Sequence, residues 1–104
     1  MREAVIVEGV LLPGRHDLIM AKRRKLLDKL LSGSYDIRFE DFQALLDGFG
    51  FSLDRVRGSH HIYSHSLISE QLSAQPRHDG KAKPYQLRQF IKLIEEYDLE
   101  LKKD

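Results

Sequence analysis

The sequence predicts one α+β domain in which two helices cover one face of a three-stranded antiparallel sheet. Two apolar stripes have the spacing i, i+3, i+4, i+7, which is typical of a helix face packed on a sheet. Three short β-favouring segments lie between the stripes and are separated by turn residues. The opposite sheet face is expected to stay open to solvent or ligand. The stripes are Phe42, Leu45, Leu46 and Phe49, and then Leu87, Phe90, Ile91 and Ile94.

Composition limits the chemistry of the chain. Its 104 residues suffice for one core. The absence of cysteine excludes disulfides, thiol nucleophiles and cysteine-bound zinc. No apolar run approaches the roughly 20 residues needed to cross a bilayer, so we expect a cytoplasmic protein without membrane contact. The net charge is only +1, but residues 77–92 are strongly basic with Asp79 as their single acid.

Residues 1–37 are predicted to precede the domain as an extension. Residues 1–19 hold a turn at 11–14 and no sustained period, which favours a segment upstream of the domain over a hairpin-like arm. Leucines recur at helical spacing within 21–32 and predict a short amphipathic helix. We interpret its basic opening turn, residues 22–25, as a solvated face rather than as an RNA-facing patch.

Turn residues and interruptions of the hydrophobic periodicity set the predicted bounds of the other elements. The predicted elements are an extended segment at 35–39, a helix at 40–48, strands at 51–57, 60–65 and 70–75, a polar loop at 77–83, and a last helix from Pro84. Imperfect alternation in the first strand predicts a β-bulge near Val56. Gly58 supplies the backbone freedom for a tight turn before the second strand.

Two histidines stand where the second strand begins. His61 and His65 have a zinc-like spacing, but in a strand they lie about 13 Å apart at ~3.3 Å rise per residue, so they do not share an ion. Strand parity puts His60 on the face of Ile62, so an Ile62 in the core would bury His60 unless the turn frees it from the pleat. Spacing alone favours an ordinary hydrogen-bonded turn histidine.

Cleavage of RNA would suit these residue types. An RNA phosphodiester carries its own nucleophile, the 2′-OH, so cleavage needs a base, an acid and cationic stabilisation, and no metal or other cofactor. One well-placed histidine can transfer the proton, and Tyr63 could stack on a base. Positive charge is available from Arg57, Lys81, Lys83 and Arg88. The same cations also fit a solvated loop and helix face.

The sequence resembles the HicA family of toxins over about residues 38–99. Three runs carry the resemblance: Leu45–Phe51, Arg57–Tyr63 and Lys81–Arg88. The most specific part is Gly-Ser-His-His with the apolar pair that follows it. This motif lies between a helix that ends in a Gly-Phe sequence and a basic loop that leads into a last helix.

The resemblance implies a fold similar to a double-stranded RNA-binding domain. It also implies a ribonuclease that cleaves messenger RNA until a HicB-like antitoxin binds and blocks it. His60, the histidine of Gly-Ser-His, then becomes the catalytic residue, whereas His61 lies at a position that the family fills variably. We assign RNA contacts to Arg57, Ser59, Lys81, Lys83 and Arg88.

We therefore divide the chain into an N-terminal extension, residues 1–37, and a HicA-like domain, residues 38–104. Two other functions remain open on the sequence: a non-catalytic RNA-binding module of the same fold, and a domain that only docks a partner chain. For the catalytic function, we expect His60 to leave the pleat and face solvent near residues 77–88.

Overall fold

The predicted α+β class is confirmed by the computed structural model, which describes residues 4–7, 10–13 and 15–102. A separate β-hairpin and a first helix precede a helix-strand-strand-strand-helix unit. The elements are β1 (Ala4–Val7), β2 (Val10–Pro13), α1 (Arg15–Leu31), α2 (Phe39–Gly48), β3 (Ser52–Arg57), β4 (His60–His65), β5 (Ile68–Ala74) and α3 (Pro84–Glu96).

Strands β3, β4 and β5 form an antiparallel sheet with β4 in the middle. The bulge in β3 lies between Leu53 and Arg55, not near Val56 as predicted. Strand β5 begins at Ile68, two residues before the predicted start, because this buried residue pairs with His65 across a tight turn. The predicted bounds of β4 are confirmed.

The face of β4 that carries Tyr63 packs under the helices. Tyr63 pairs with Leu72, and both side chains are buried. The side-chain amide of Gln43 in α2 donates to the Tyr63 hydroxyl at 3.2 Å. A buried ring cannot stack on RNA, so the sequence prediction for Tyr63 is wrong. The sheet turns its larger apolar ring toward the core and leaves Ile62 on the open face.

Aromatic side chains from both helices meet in the centre of the core. The Phe90 ring of α3 is fully buried and lies 5.5 Å from the Phe42 ring of α2, centroid to centroid, in an edge-to-face arrangement. The rings of Phe49 and Phe51 contact Phe90 at 5.5 and 6.1 Å. The two predicted stripes therefore pack against each other as well as against the sheet, which fixes the position of both helices.

The described residues of the N-terminal extension, 4–7, 10–13 and 15–37, are more regular than predicted. The β1–β2 hairpin is the arm that the sequence disfavoured. The turn predicted at 11–14 is wrong for residues 11–13, which lie in strand β2, and Gly14 lies outside the described residues. Helix α1 starts at Arg15 rather than at Ala21 because no helix-breaking residue interrupts this stretch. The side chains of Leu27 and Leu30 are buried in the same core as the sheet.

Candidate functional site

A two-residue turn at Gly58 and Ser59 makes Arg57 and His60 direct cross-strand neighbours. Gly58 has a φ of +62°, whereas Ser59 is not among the residues with positive φ. Positive φ at the first loop residue alone is the pattern of a type II′ turn, whose twist matches that of the flanking strands. This turn therefore aligns Arg57 and His60 on one face of the sheet.

His60 lies on the open face of the sheet and is exposed. It is the first residue of β4, so our expectation that it leaves the pleat is wrong. The pleat itself carries His60 to solvent, because Tyr63 and not Ile62 points to the core. Its ring Nδ1 lies 3.4 Å from the Ser73 hydroxyl of β5. The pairing of His61 with Ala74, continued by one residue, puts His60 opposite Gln75.

A hydrogen-bonded chain leads from the turn to the start of α3. The Gln75 side-chain amide donates to the Ser59 hydroxyl at 2.8 Å. The Lys83 ammonium, at the N-cap position of α3, donates to the Gln75 side-chain oxygen at 2.8 Å. One glutamine thus holds both a predicted phosphate-binding lysine and the serine that precedes His60.

A cleft of about 530 Å³ opens beside this chain. Its lining residues are Ser59, Gln75, Pro76, Arg77, His78, Asp79 and Lys83. Sequence reasoning placed residues 77–83 in a polar loop but did not bring the loop to the β3–β4 turn. Its position depends on isolated bridges of Arg38 with Lys81 and of Pro76 with Ala82, for which the sequence carries no local signal.

The other two predicted RNA contacts lie against a different segment. The Lys81 ammonium forms an ion pair with Asp36 at 2.6 Å, and this hydrogen bond and charge hold the pKa of Asp36 below its usual value. The Arg88 guanidinium lies over the Tyr35 ring at 5.7 Å from its centroid. The predicted cations therefore form two groups: Arg57 and Lys83 at the turn that precedes His60, and Lys81 and Arg88 at residues 35–36.

The neighbouring histidines of β4 have structural contacts. His61 Nδ1 donates to the Ser59 carbonyl at 3.0 Å, and its ring lies edge-on to Phe39 at 5.0 Å. His65 uses both ring nitrogens: Nε2 lies 3.0 Å from the Phe49 carbonyl, and Nδ1 accepts the Leu67 backbone N–H at 3.1 Å. These two contacts of His65 require its Nε2–H tautomer, in which Nε2 donates to the Phe49 carbonyl and Nδ1 is the acceptor.

His78 differs from these two histidines. It is exposed in the cleft and makes no hydrogen bond to the described part of the chain. His60 and His78 are thus the histidines whose rings are available to a ligand among residues 21–102. Within the same residues, no group of three or more His, Asp or Glu side chains is placed to hold a metal ion.

Comparison with known proteins identifies the family. The family model described as HicA toxin of bacterial toxin-antitoxin matches residues 39–95, which is more than half of the chain and includes α2, the whole sheet and nearly all of α3. No curated protein and no solved structure gives a significant match. Among the described residues, no helix is long and apolar enough to cross a membrane. The chain therefore belongs to the HicA toxin family, and as the toxin of a toxin–antitoxin system it has an antitoxin partner.

Proposed function

We propose that this protein is a metal-independent endoribonuclease that cleaves messenger RNA in the cytoplasm, with His60 as the catalytic histidine. The observation that carries the proposal is the position of His60. It is exposed on the open face, paired with Arg57 across the strands, and preceded by a serine bonded through Gln75 to Lys83. His60 is thus the cross-strand neighbour of one cation, Arg57, and its turn is linked through Gln75 to a second, Lys83; phosphodiester cleavage requires such a proton-transfer group together with positive charge.

The reaction follows from the chemistry of RNA. The 2′-oxygen attacks the adjacent phosphorus, its proton passes to a base, and the bond from phosphorus to the 5′-oxygen breaks as that oxygen receives a proton. The products are a 2′,3′-cyclic phosphate and a 5′-hydroxyl. Arg57 and Lys83 stabilise the negative charge that develops on the phosphorane oxygens.

His60 can make one of the two proton transfers, as base or as acid. We propose His78 for the other transfer because its ring is exposed in the cleft that Ser59 also lines. The contacts of His61 with Ser59 and Phe39 instead suit a positioning residue that holds the turn. Lys81 and Arg88 extend the RNA-binding surface toward residues 35–36.

The same proposal covers the domain limits and the partner. Residues 38–104 form the HicA-like ribonuclease unit, whose element order fits a fold similar to a double-stranded RNA-binding domain. Residues 1–37 are an extension that adds Leu27 and Leu30 to its core. A HicB-like antitoxin blocks the enzyme by covering the open face that carries His60.

The test compares wild type with the His60→Ala and His61→Ala variants for growth arrest in cells and for RNA cleavage in EDTA. We expect His60→Ala to abolish both and His61→Ala to reduce them less, with thermal unfolding as the control for folding. Undiminished cleavage by His60→Ala would refute the catalytic assignment. RNA binding without cleavage by wild type, in EDTA and in magnesium alike, would identify a non-catalytic RNA-binding module.

A further inference from the structure

We propose that the Tyr85 ring is a stacking platform for an RNA base, so that the site takes single-stranded RNA with one base turned out of its stack. This inference rests on the proposed function, because it assumes RNA in the cleft. Tyr85 lies in the first turn of α3, two residues after Lys83, and its side chain is 56% exposed. An exposed aromatic ring beside a phosphate-binding cation is the arrangement with which proteins bind single strands.

The ring of Tyr85 is tied down rather than free. Its hydroxyl accepts the side-chain N–H of Gln86 at 3.2 Å. Gln86 is only 2% exposed, and its side-chain oxygen accepts the backbone N–H of Gln75 at 2.8 Å. The buried amide therefore links the tyrosine hydroxyl to the main chain just after β5. A ring held in this way loses little conformational entropy when a base stacks on it.

The same contacts place the ring next to the proposed chemistry. Gln75, whose backbone is bonded to Gln86, holds Ser59 and Lys83 with its own side chain. Two glutamines thus connect Tyr85 through three hydrogen bonds to the turn that precedes His60. The proposal puts the phosphate at Lys83, two residues before Tyr85, and the base of an adjacent nucleotide on the exposed ring.

The other aromatic side chains of residues 21–102 do not offer such a surface. Tyr85 is the one aromatic residue among the exposed large apolar side chains of this part of the chain. Tyr63 is buried, and Tyr35 carries the Arg88 guanidinium on its ring. Because both faces of a base are covered inside a duplex, a platform of this kind selects RNA that is single-stranded at the cleavage site.

The experiment measures RNA binding in a His60→Ala background, which prevents cleavage. Fluorescence anisotropy compares the affinity for one single-stranded RNA with that for the same sequence in a duplex. The proteins are the His60→Ala parent, in which Tyr85 is intact, and its Tyr85→Ala, Tyr85→Phe and Leu67→Ala variants. Leu67 is the matched control because it is 69% exposed and lies in the turn at the other end of β4. Thermal unfolding verifies that each variant is folded.

We expect Tyr85→Ala to weaken single-strand binding by about 10- to 100-fold, within the range for loss of one base–aromatic stack. Tyr85→Phe should remain within about threefold of the parent because it keeps the ring, and Leu67→Ala should be unchanged. If wild type cleaves RNA but Tyr85→Ala and Leu67→Ala bind single-stranded RNA with equal affinity, this inference alone is overturned. If wild type does not cleave RNA and none of the variants binds it, both proposals are overturned.

Discussion

Replacing Gly58 by Ala tests whether the turn positions His60. Gly58 has a φ of +62°, a conformation in which an L-residue costs about 1–2 kcal/mol. A Cβ at this position would meet no heavy atom within 4 Å, so the cost is confined to the backbone. We expect Gly58→Ala to lower the free energy of unfolding by about 1–2 kcal/mol and Tm by roughly 5–15 °C.

The matched control is Gly33→Ala. Gly33 has a φ of +99° and equally open surroundings, but it lies in the turn after α1. The two variants should therefore lose similar stability for the same reason. Gly58→Ala has a second effect, because a turn that abandons positive φ at its first position splays the strands and displaces Ser59 and His60.

The assay is the rate of RNA cleavage at a temperature where both variants are fully folded, with Tm from circular dichroism. We expect Gly58→Ala to cleave about 10- to 100-fold more slowly than wild type, since small misplacements of reacting groups have effects of this size. Gly33→Ala should cleave at the wild-type rate. Cleavage of RNA by Gly58→Ala at the wild-type rate would refute the argument that the type II′ turn positions His60.

Three further predictions concern the second proton transfer, the Lys81 ion pair and the core. His78→Ala should slow cleavage by about 10²- to 10⁴-fold. If His78 is the acid, the variant should recover its rate on RNA with sulfur in place of the leaving 5′-oxygen, because a thiolate leaves without being protonated. An unchanged rate on ordinary RNA would contradict the role of His78. The lowered pKa of Asp36 means that its pairing with Lys81 stabilises the fold at neutral pH and is lost as pH falls through that pKa. Asp36→Asn should therefore free Lys81, strengthen RNA binding and steepen its salt dependence in anisotropy titrations, and weaker binding would contradict this. Phe90→Ala should cost about 3–5 kcal/mol in urea unfolding because the ring is fully buried among three others, and a loss below about 1 kcal/mol would contradict its central place in the core.

Local signals were sufficient for the elements around the turn. A glycine between two β-favouring segments predicted the start of β4 at His60, and a proline after a polar loop predicted the start of α3 at Pro84. Both signals act within a few residues, where backbone preference alone decides the structure. The order of helices and strands followed because the two helical stripes were long and regular.

The face of β4 that meets the core could not be read from the sequence. Alternation separates His60 and Ile62 from His61 and Tyr63, but it does not tell which set lies under the helices. The helices decide this question, because they cover Tyr63 and its partner Leu72. The cleft could not be predicted from the sequence for a similar reason, because it depends on contacts between segments that are distant along the chain.

The chemistry at the ends of the RNA fragments tests the central claim most directly. Purified wild type and His60→Ala are incubated with a short single-stranded RNA in EDTA, and mass spectrometry identifies the new termini. Cleavage by the 2′-oxygen with proton transfer by His60 predicts 2′,3′-cyclic phosphate and 5′-hydroxyl ends from wild type and intact RNA from His60→Ala. Ends that carry 3′-hydroxyl and 5′-phosphate groups, or equal cleavage by the two proteins, would contradict the account.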